Sequence, residues 1–185
     1  TEEAAYTVAT SDGAFEIRDY APHVVAETLV EGTLEEAGNK AFQKLFRYIS
    51  GGNRSREKVA MTAPVSQQPQ GERIAMTAPV AQQRVQERWA VSFMMPASYA
   101  LEALPTPEDP QVVLRQVPAR RMAAVRYSGS WSEKGYQRNL EELEAWMRRK
   151  GLAPAGAPVW ARYNSPFSLW FRRRNEVLIP VATGA

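Results

Sequence analysis

Arg18-Asp-Tyr-Ala-Pro-His-Val-Val-Ala-Glu-Thr-Leu-Val-Glu-Gly32 and Arg115-Gln-Val-Pro-Ala-Arg-Arg-Met-Ala-Ala-Val-Arg-Tyr-Ser-Gly129 carry the fold in outline. The same shift, 97 residues, separates Arg18 from Arg115 and Gly32 from Gly129. Each window holds a β-type run, a proline corner at Pro22 or Pro118, a second β-type run and a glycine, and the two runs beside each corner read as a strand pair, antiparallel at Pro22. Each then leads into an amphipathic helix. Few residues are identical between the windows, so the signal lies in the order of elements.

Working outward, Thr33-Leu-Glu-Glu36 fits a capping box, with a hydroxyl at the cap and a carboxylate three residues on. Leu34, Ala37, Ala41, Phe42, Leu45, Phe46 and Ile49 follow at helical spacing, and Ser50-Gly51-Gly52 supplies a stop. This predicts a helix near residues 34–50. Gly38 inside it costs about 1 kcal/mol against alanine and permits a close approach by another group. Tyr136, Leu140, Leu143 and Met147 predict a second helix near 132–150, ended by Gly151. Further strands are expected at Tyr6–Val8, Phe15–Tyr20, Trp89–Met95, Val159–Tyr163 and Asn175–Val181. Four prolines between 96 and 110 suggest an exposed crossing.

The expected architecture is α+β, in one domain spanning 1–185. Two strand-strand-helix-strand halves, about 6–95 and 111–181, contribute antiparallel strands to one curved sheet or distorted open barrel. Each half adds a long helix. A groove along the pseudo-two-fold axis is a natural ligand site, and equally a way to close a core.

Within the first half the chain says nearly the same thing twice. Lys58-Val-Ala-Met-Thr-Ala-Pro-Val-Ser-Gln-Gln68 is followed by Arg73-Ile-Ala-Met-Thr-Ala-Pro-Val-Ala-Gln-Gln83. Each copy reads as a short strand ended or bulged by its proline. Alternation places Met61 and Met76 beside small residues on one face. Two readings stand: antiparallel strands whose methionines are core, or strands bordering a cavity for a flat ligand.

The composition of the 185 residues, 44% hydrophobic and 23% charged, is that of an ordinary globular protein. A net charge of +3 is too balanced for a nucleic-acid surface. No apolar run reaches the roughly 18 residues of a membrane helix. Absence of cysteine excludes disulfides, thiolate catalysis and cysteine metal sites. The chain starts at Thr1, consistent with a removed leader or a shortened chain, and the cysteine-free composition leans toward the periplasm while leaving the compartment open.

Several motifs now stand in order: Phe15-Glu-Ile-Arg-Asp-Tyr20, the two Ala-Met-Thr-Ala-Pro-Val copies, Trp89-Ala-Val-Ser-Phe-Met-Met-Pro96, Tyr163-Asn-Ser-Pro166 and Arg173-Arg-Asn-Glu-Val177. In this order they resemble the SOUL family of haem-binding proteins, from about Tyr6 to Val181. The resemblance implies a distorted β-barrel with two long helices, related to gyrase-inhibitor-like ligand-binding domains. It also implies haem, or another tetrapyrrole such as a metal-free porphyrin, in an apolar groove beside the first helix. Carried onto this chain, the pocket face includes Phe42, Leu45 and Phe46, with Arg47 near the propionates. Pro166 to Phe171 takes the place of a loop over the groove, bringing Phe167, Trp170 and Phe171. Arg172, Arg173 and Arg174 follow and suit carboxylates, or equally form a solvated surface with partial pairing to Glu176.

Some family members carry a histidine in the Glu-Ile-Arg-x-Tyr motif, where this chain has Asp19. Its one histidine, His23, lies beyond the Pro22 corner, about 13 Å along a strand. The family's ligand role does not transfer directly to His23, which stands as a candidate axial ligand with methionines or tyrosines as substitutes, against apolar holding of the macrocycle without a fixed ligand. Three functions follow: a tetrapyrrole carrier, buffer or sensor; a broader small-molecule binder that accepts flat cations if Glu27 or Glu31 faces the groove; and an enzyme using carboxylates such as Glu16 or Glu27. The expectation is a binder rather than an enzyme.

Overall fold

The hydroxyl of Thr33 accepts from the backbone N–H of Glu36 at 3.2 Å, and the Glu36 carboxylate accepts from the N–H of Thr33 at 3.4 Å. The capping box therefore starts the first helix where the sequence places it. The computed structural model describes residues 1–55, 71–164 and 168–182. In chain order the first elements are β1 (Glu2–Glu3), β2 (Tyr6–Asp12), β3 (Phe15–Tyr20), β4 (His23–Val30) and α1 (Leu34–Ile49). Next come β5 (Asn53–Arg54), β6 (Thr77–Ala78), β7 (Val80–Val85), β8 (Arg88–Met94) and β9 (Thr106–Pro107). The second half supplies β10 (Val113–Val117), β11 (Arg120–Tyr127), α2 (Glu133–Arg149), β12 (Val159–Arg162) and β13 (Asn175–Pro180).

Nine strands form one curled, half-barrel sheet in the order β10-β4-β8-β7-β12-β13-β11-β3-β2, every neighbour antiparallel. The duplication is visible in its register. His23 pairs with Val117, and Tyr20 with Arg120; the 97-residue shift converts one pair into the other. Val25–Arg115 and Met122–Arg18 are related in the same way. The two strands beside each proline corner therefore do not pair with each other, contrary to the sequence expectation; each pairs with a strand of the other half.

Side-chain alternation sorts the sheet into two faces. On one, α1 packs against β4 and β8, and α2 against β11 and β13. Val24, Ala26, Leu45, Phe93, Val125, Leu143, Trp160 and Ile179 belong to this main core. The opposite face holds a smaller apolar cluster of Met122, Ala124, Val159, Ala161 and Leu178, with Tyr20 and Tyr163 against it.

Two further expectations change. In the second copy of the repeat, Ile74 to Met76 form no strand, and the strand that Pro79 ends is only the two-residue β6; Pro79 follows a cis peptide and separates β6 from β7. A proline cannot donate to the ladder, so β7 starts after it. The first copy, with Met61, lies outside the described residues. The crossing at 96–110 is not merely exposed: it buries Leu104 completely, and Tyr48 donates its hydroxyl to Pro105 O at 2.7 Å.

Candidate ligand-binding site

On α1, Phe42 and Phe46 lie one turn apart and form a stripe that runs from half-buried to exposed, while Gly38, one turn before Phe42, is buried against the sheet. The rings of Phe42 and Phe46 stack in parallel, 5.8 Å between centroids at 11°. Phe42 is half-buried against Phe93, whereas Phe46 is 48% exposed. Arg47 is also exposed. Leu45 faces the sheet and is fully buried in the core, so it presents nothing to a ligand outside the helix. Met76 is partly buried at the edge of the same core.

Beneath Gly38, between α1 and the sheet, lies a residue that sequence reasoning missed. Arg162 reaches the side of Gly38: a Cβ there would lie 2.8 Å from Nη2 and 3.0 Å from the Gln82 carbonyl oxygen. Its guanidinium stacks between Trp131 and Trp160, 5.1 and 5.2 Å from the ring centroids. Burial pushes its pKa down to about 10. Nη2 of Arg162, Oε1 of Gln82 and Nε1 of Trp131 have no hydrogen-bond partner among the described residues. Arg173 covers Trp131 as well, at 4.4 Å, and donates to Ser168 O. The one signal in the sequence was Gly38, a glycine in mid-helix.

Nearby, Leu169, Trp170 and Phe171 are more than half exposed, and Trp170 meets Phe171 edge to face at 5.6 Å. Arg172 is exposed beside Phe171. Arg174 is not free for a ligand, since it pairs with Glu176 at 3.2 Å. Phe167 lies outside the described residues.

His23 stands elsewhere. It alternates with Val24 and Ala26, which point to α1, so His23 shares the helix-free face with Val25. There it lines a cavity with Met94, Arg120 and Met122. One macrocycle lying on Phe42 and Phe46 therefore cannot reach His23 through the intervening sheet. The second repeat copy borders this cavity through Pro79 and Ala81. Met76 is not part of its wall.

The helix-free face also carries an ionic cluster. Arg18 donates to both Glu176 oxygens at 2.7 Å and to Glu16 at 2.8 Å. Arg126 and Arg174 approach Glu176 at 3.4 and 3.2 Å. Burial alone would raise Glu176, but the hydrogen-bonded Arg18 guanidinium and the two further cations hold it below the usual carboxylate range. Glu27 points to this face and is taken by Arg115 at 2.7 Å.

The architecture is a curled antiparallel half-barrel sheet with two helices on one face and a cavity on the other. The SOUL heme-binding protein profile matches residues 1–180, and the chain belongs to that family. It is 28% identical to human heme-binding protein 2 over 167 residues, 89% of this chain and 77% of that protein. Among solved structures, a hydrolase from Listeria innocua superposes with a TM-score of 0.63 at 12% identity, covering 94% of each chain. The EcmrR C-terminal domain gives 0.58 at 12% identity, with 95% and 97% covered. SAV2435 bound to tetraphenylphosphonium gives 0.52 at 6%, with 91% and 94% covered. These three likenesses concern the fold alone. No helix among the described residues is long and apolar enough to cross a membrane.

Proposed function

We propose that this protein binds haem or a related tetrapyrrole as a carrier or buffer, on the outer face of α1 and without an iron ligand from His23. The observation that carries the reading is the parallel Phe42–Phe46 pair, whose outer ring, Phe46, is left exposed on the first helix of a SOUL-family chain. A flat aromatic surface suits a flat macrocycle, and exposed apolar area of this kind is where soluble proteins bind partners or ligands. Arg47, exposed beside Phe46, supplies charge for propionates. Trp170 and Phe171 offer a second apolar surface. Binding is preferred to catalysis because Glu16 and Glu27, the carboxylates suggested for acid–base work, are engaged by Arg18 and Arg115.

The test is to titrate hemin and metal-free protoporphyrin side by side. Similar affinities, both weakened at least tenfold by Phe46→Asp and unchanged by Val8→Asp at another exposed apolar position, are expected. A strong preference for hemin, or indifference to Phe46→Asp, overturns the placement on α1.

A further inference from the structure

The cavity on the helix-free face is built from both halves at once. His23 and Arg120 are related by the 97-residue shift, as are Val25 and Met122, and all four line it. It therefore straddles the pseudo-two-fold axis, with two basic side chains at equivalent positions and an apolar wall completed by Met94 and Leu178. The space between the atoms is roughly 500 Å³, counting the part open to solvent. As an upper bound, that space excludes a large ligand.

Charge decides which ligand. Arg120 has cationic Arg115 and the Tyr20 hydroxyl as its electrostatic neighbours, and among the described residues no carboxylate pairs with it. The acids of this face are already engaged: Glu27 by Arg115, Glu16 by Arg18, and Glu176 by three guanidinium groups. His23 uses Nδ1 toward Ala21 O at 3.2 Å, which leaves Nε2 for another partner. A lipophilic cation entering here would meet Arg120 and find no free carboxylate. An anion with an apolar body meets complementary groups at both ends.

We propose that this cavity binds a small amphipathic carboxylate, its head at Arg120 and His23 and its apolar body against Met94, Met122 and Leu178. The site is separate from the α1 stripe, because the sheet lies between them, and it stands whether or not a tetrapyrrole binds there.

The experiment compares 2-naphthoate with 2-naphthylmethanol, its neutral counterpart, by calorimetry on the full chain. The carboxylate should bind at least tenfold more tightly. Arg120→Gln should abolish the preference, and Ala81→Leu, which narrows the cavity from β7, should weaken both ligands. Tetraphenylphosphonium should bind more weakly than either. Equal affinities for acid and alcohol, a preference that persists in folded Arg120→Gln, or tighter binding of the cation each overturns the proposal. Should Arg120→Gln lose its native circular dichroism, His23→Gln takes its place and must reduce the acid's advantage.

Discussion

Arg18 on β3 and Glu176 on β13 form a bidentate ion pair, 2.7 Å at both contacts, across the intervening strand β11. Both side chains are essentially inaccessible to water. The pair crosses near Ala124, which sits opposite Glu16 on one side and Leu178 on the other, and its small side chain leaves the passage open. Two short motifs, Glu-Ile-Arg-Asp-Tyr and Arg-Asn-Glu-Val, thus meet in one contact. Removing one partner strands a buried charge, which costs about 3–5 kcal/mol, whereas replacing both with apolar groups is often close to neutral. Arg18→Met should therefore lower the urea midpoint strongly, and Arg18→Met with Glu176→Leu should recover most of it. A double variant as unstable as the sum of the singles would show that the two act independently.

The same contact sets a pH dependence. Glu176 titrates below its ordinary value of 4.5 in the folded protein, so the unfolded chain binds the proton first as pH falls. Its contribution is complete above about pH 4.5 and is lost as pH falls through the lower folded value. Urea midpoints between pH 6 and 3 should decline, and the decline should be shallower in Glu176→Gln.

His23 acts in a higher window. Desolvation, with Arg120 and Arg115 close by, lowers its pKa below 6.5 despite the hydrogen bond to Ala21. A depressed histidine favours the folded state above 6.5, and this advantage is lost as pH falls toward the folded value. His23→Gln should flatten the stability profile just below pH 6.5, leaving the carboxylate limb intact.

Gly38 is held by packing, not by backbone conformation. Alanine would gain about 1 kcal/mol of helix propensity, yet its Cβ would sit 2.8 Å from Arg162 Nη2 and 3.0 Å from Gln82 Oε1. Both of those side chains are buried and have little room to yield. Gly38→Ala should lower the melting temperature, and pairing it with Arg162→Ala should lessen the effect. A gain in melting temperature from Gly38→Ala alone would refute the account.

On the tetrapyrrole reading, His23→Ala should leave hemin affinity within about threefold and the Soret band in place, since the residue lies across the sheet from α1. Arg47→Ala should cost no more than ~1 kcal/mol, the range of a solvent-exposed ion pair. Absorption titrations of the two variants check both statements. A Soret shift in His23→Ala would move the macrocycle to the other face.

The helices were legible because each has a capping residue and a broad apolar stripe; they fall at 34–49 and 133–149, against expected limits of 34–50 and 132–150. The strand exchange was not legible: the corners at Pro22 and Pro118 suggest that neighbouring strands pair locally, whereas each pairs with a strand of the other half. The face to which His23 belongs was harder to read, since Val24, Val25 and Ala26 are all buried and β4 shows no polar alternation. Leu45 and Phe46 look alike in sequence, yet adjacent helical positions diverge by about 100°. The Arg18–Glu176 pair joins residues 158 apart, and no local pattern reports such a contact. Arg162 was missed for a related reason: its partners are aromatic faces and a glycine, not an acid that spacing would reveal.

The exchange of strands between halves also governs how the chain reaches its native state. Neither β4 nor β3 can complete its ladder until a segment nearly a hundred residues away arrives. Contacts so distant in sequence place folding toward the slow end for a small protein, roughly milliseconds to seconds. Until then the first half carries bare strand edges that match β10 and β11. By the register symmetry, they also match the β3 and β4 edges of another first half. Two nascent chains can therefore pair with each other in place of their own second halves, so dilute refolding should yield monomer where concentrated refolding yields swapped dimer.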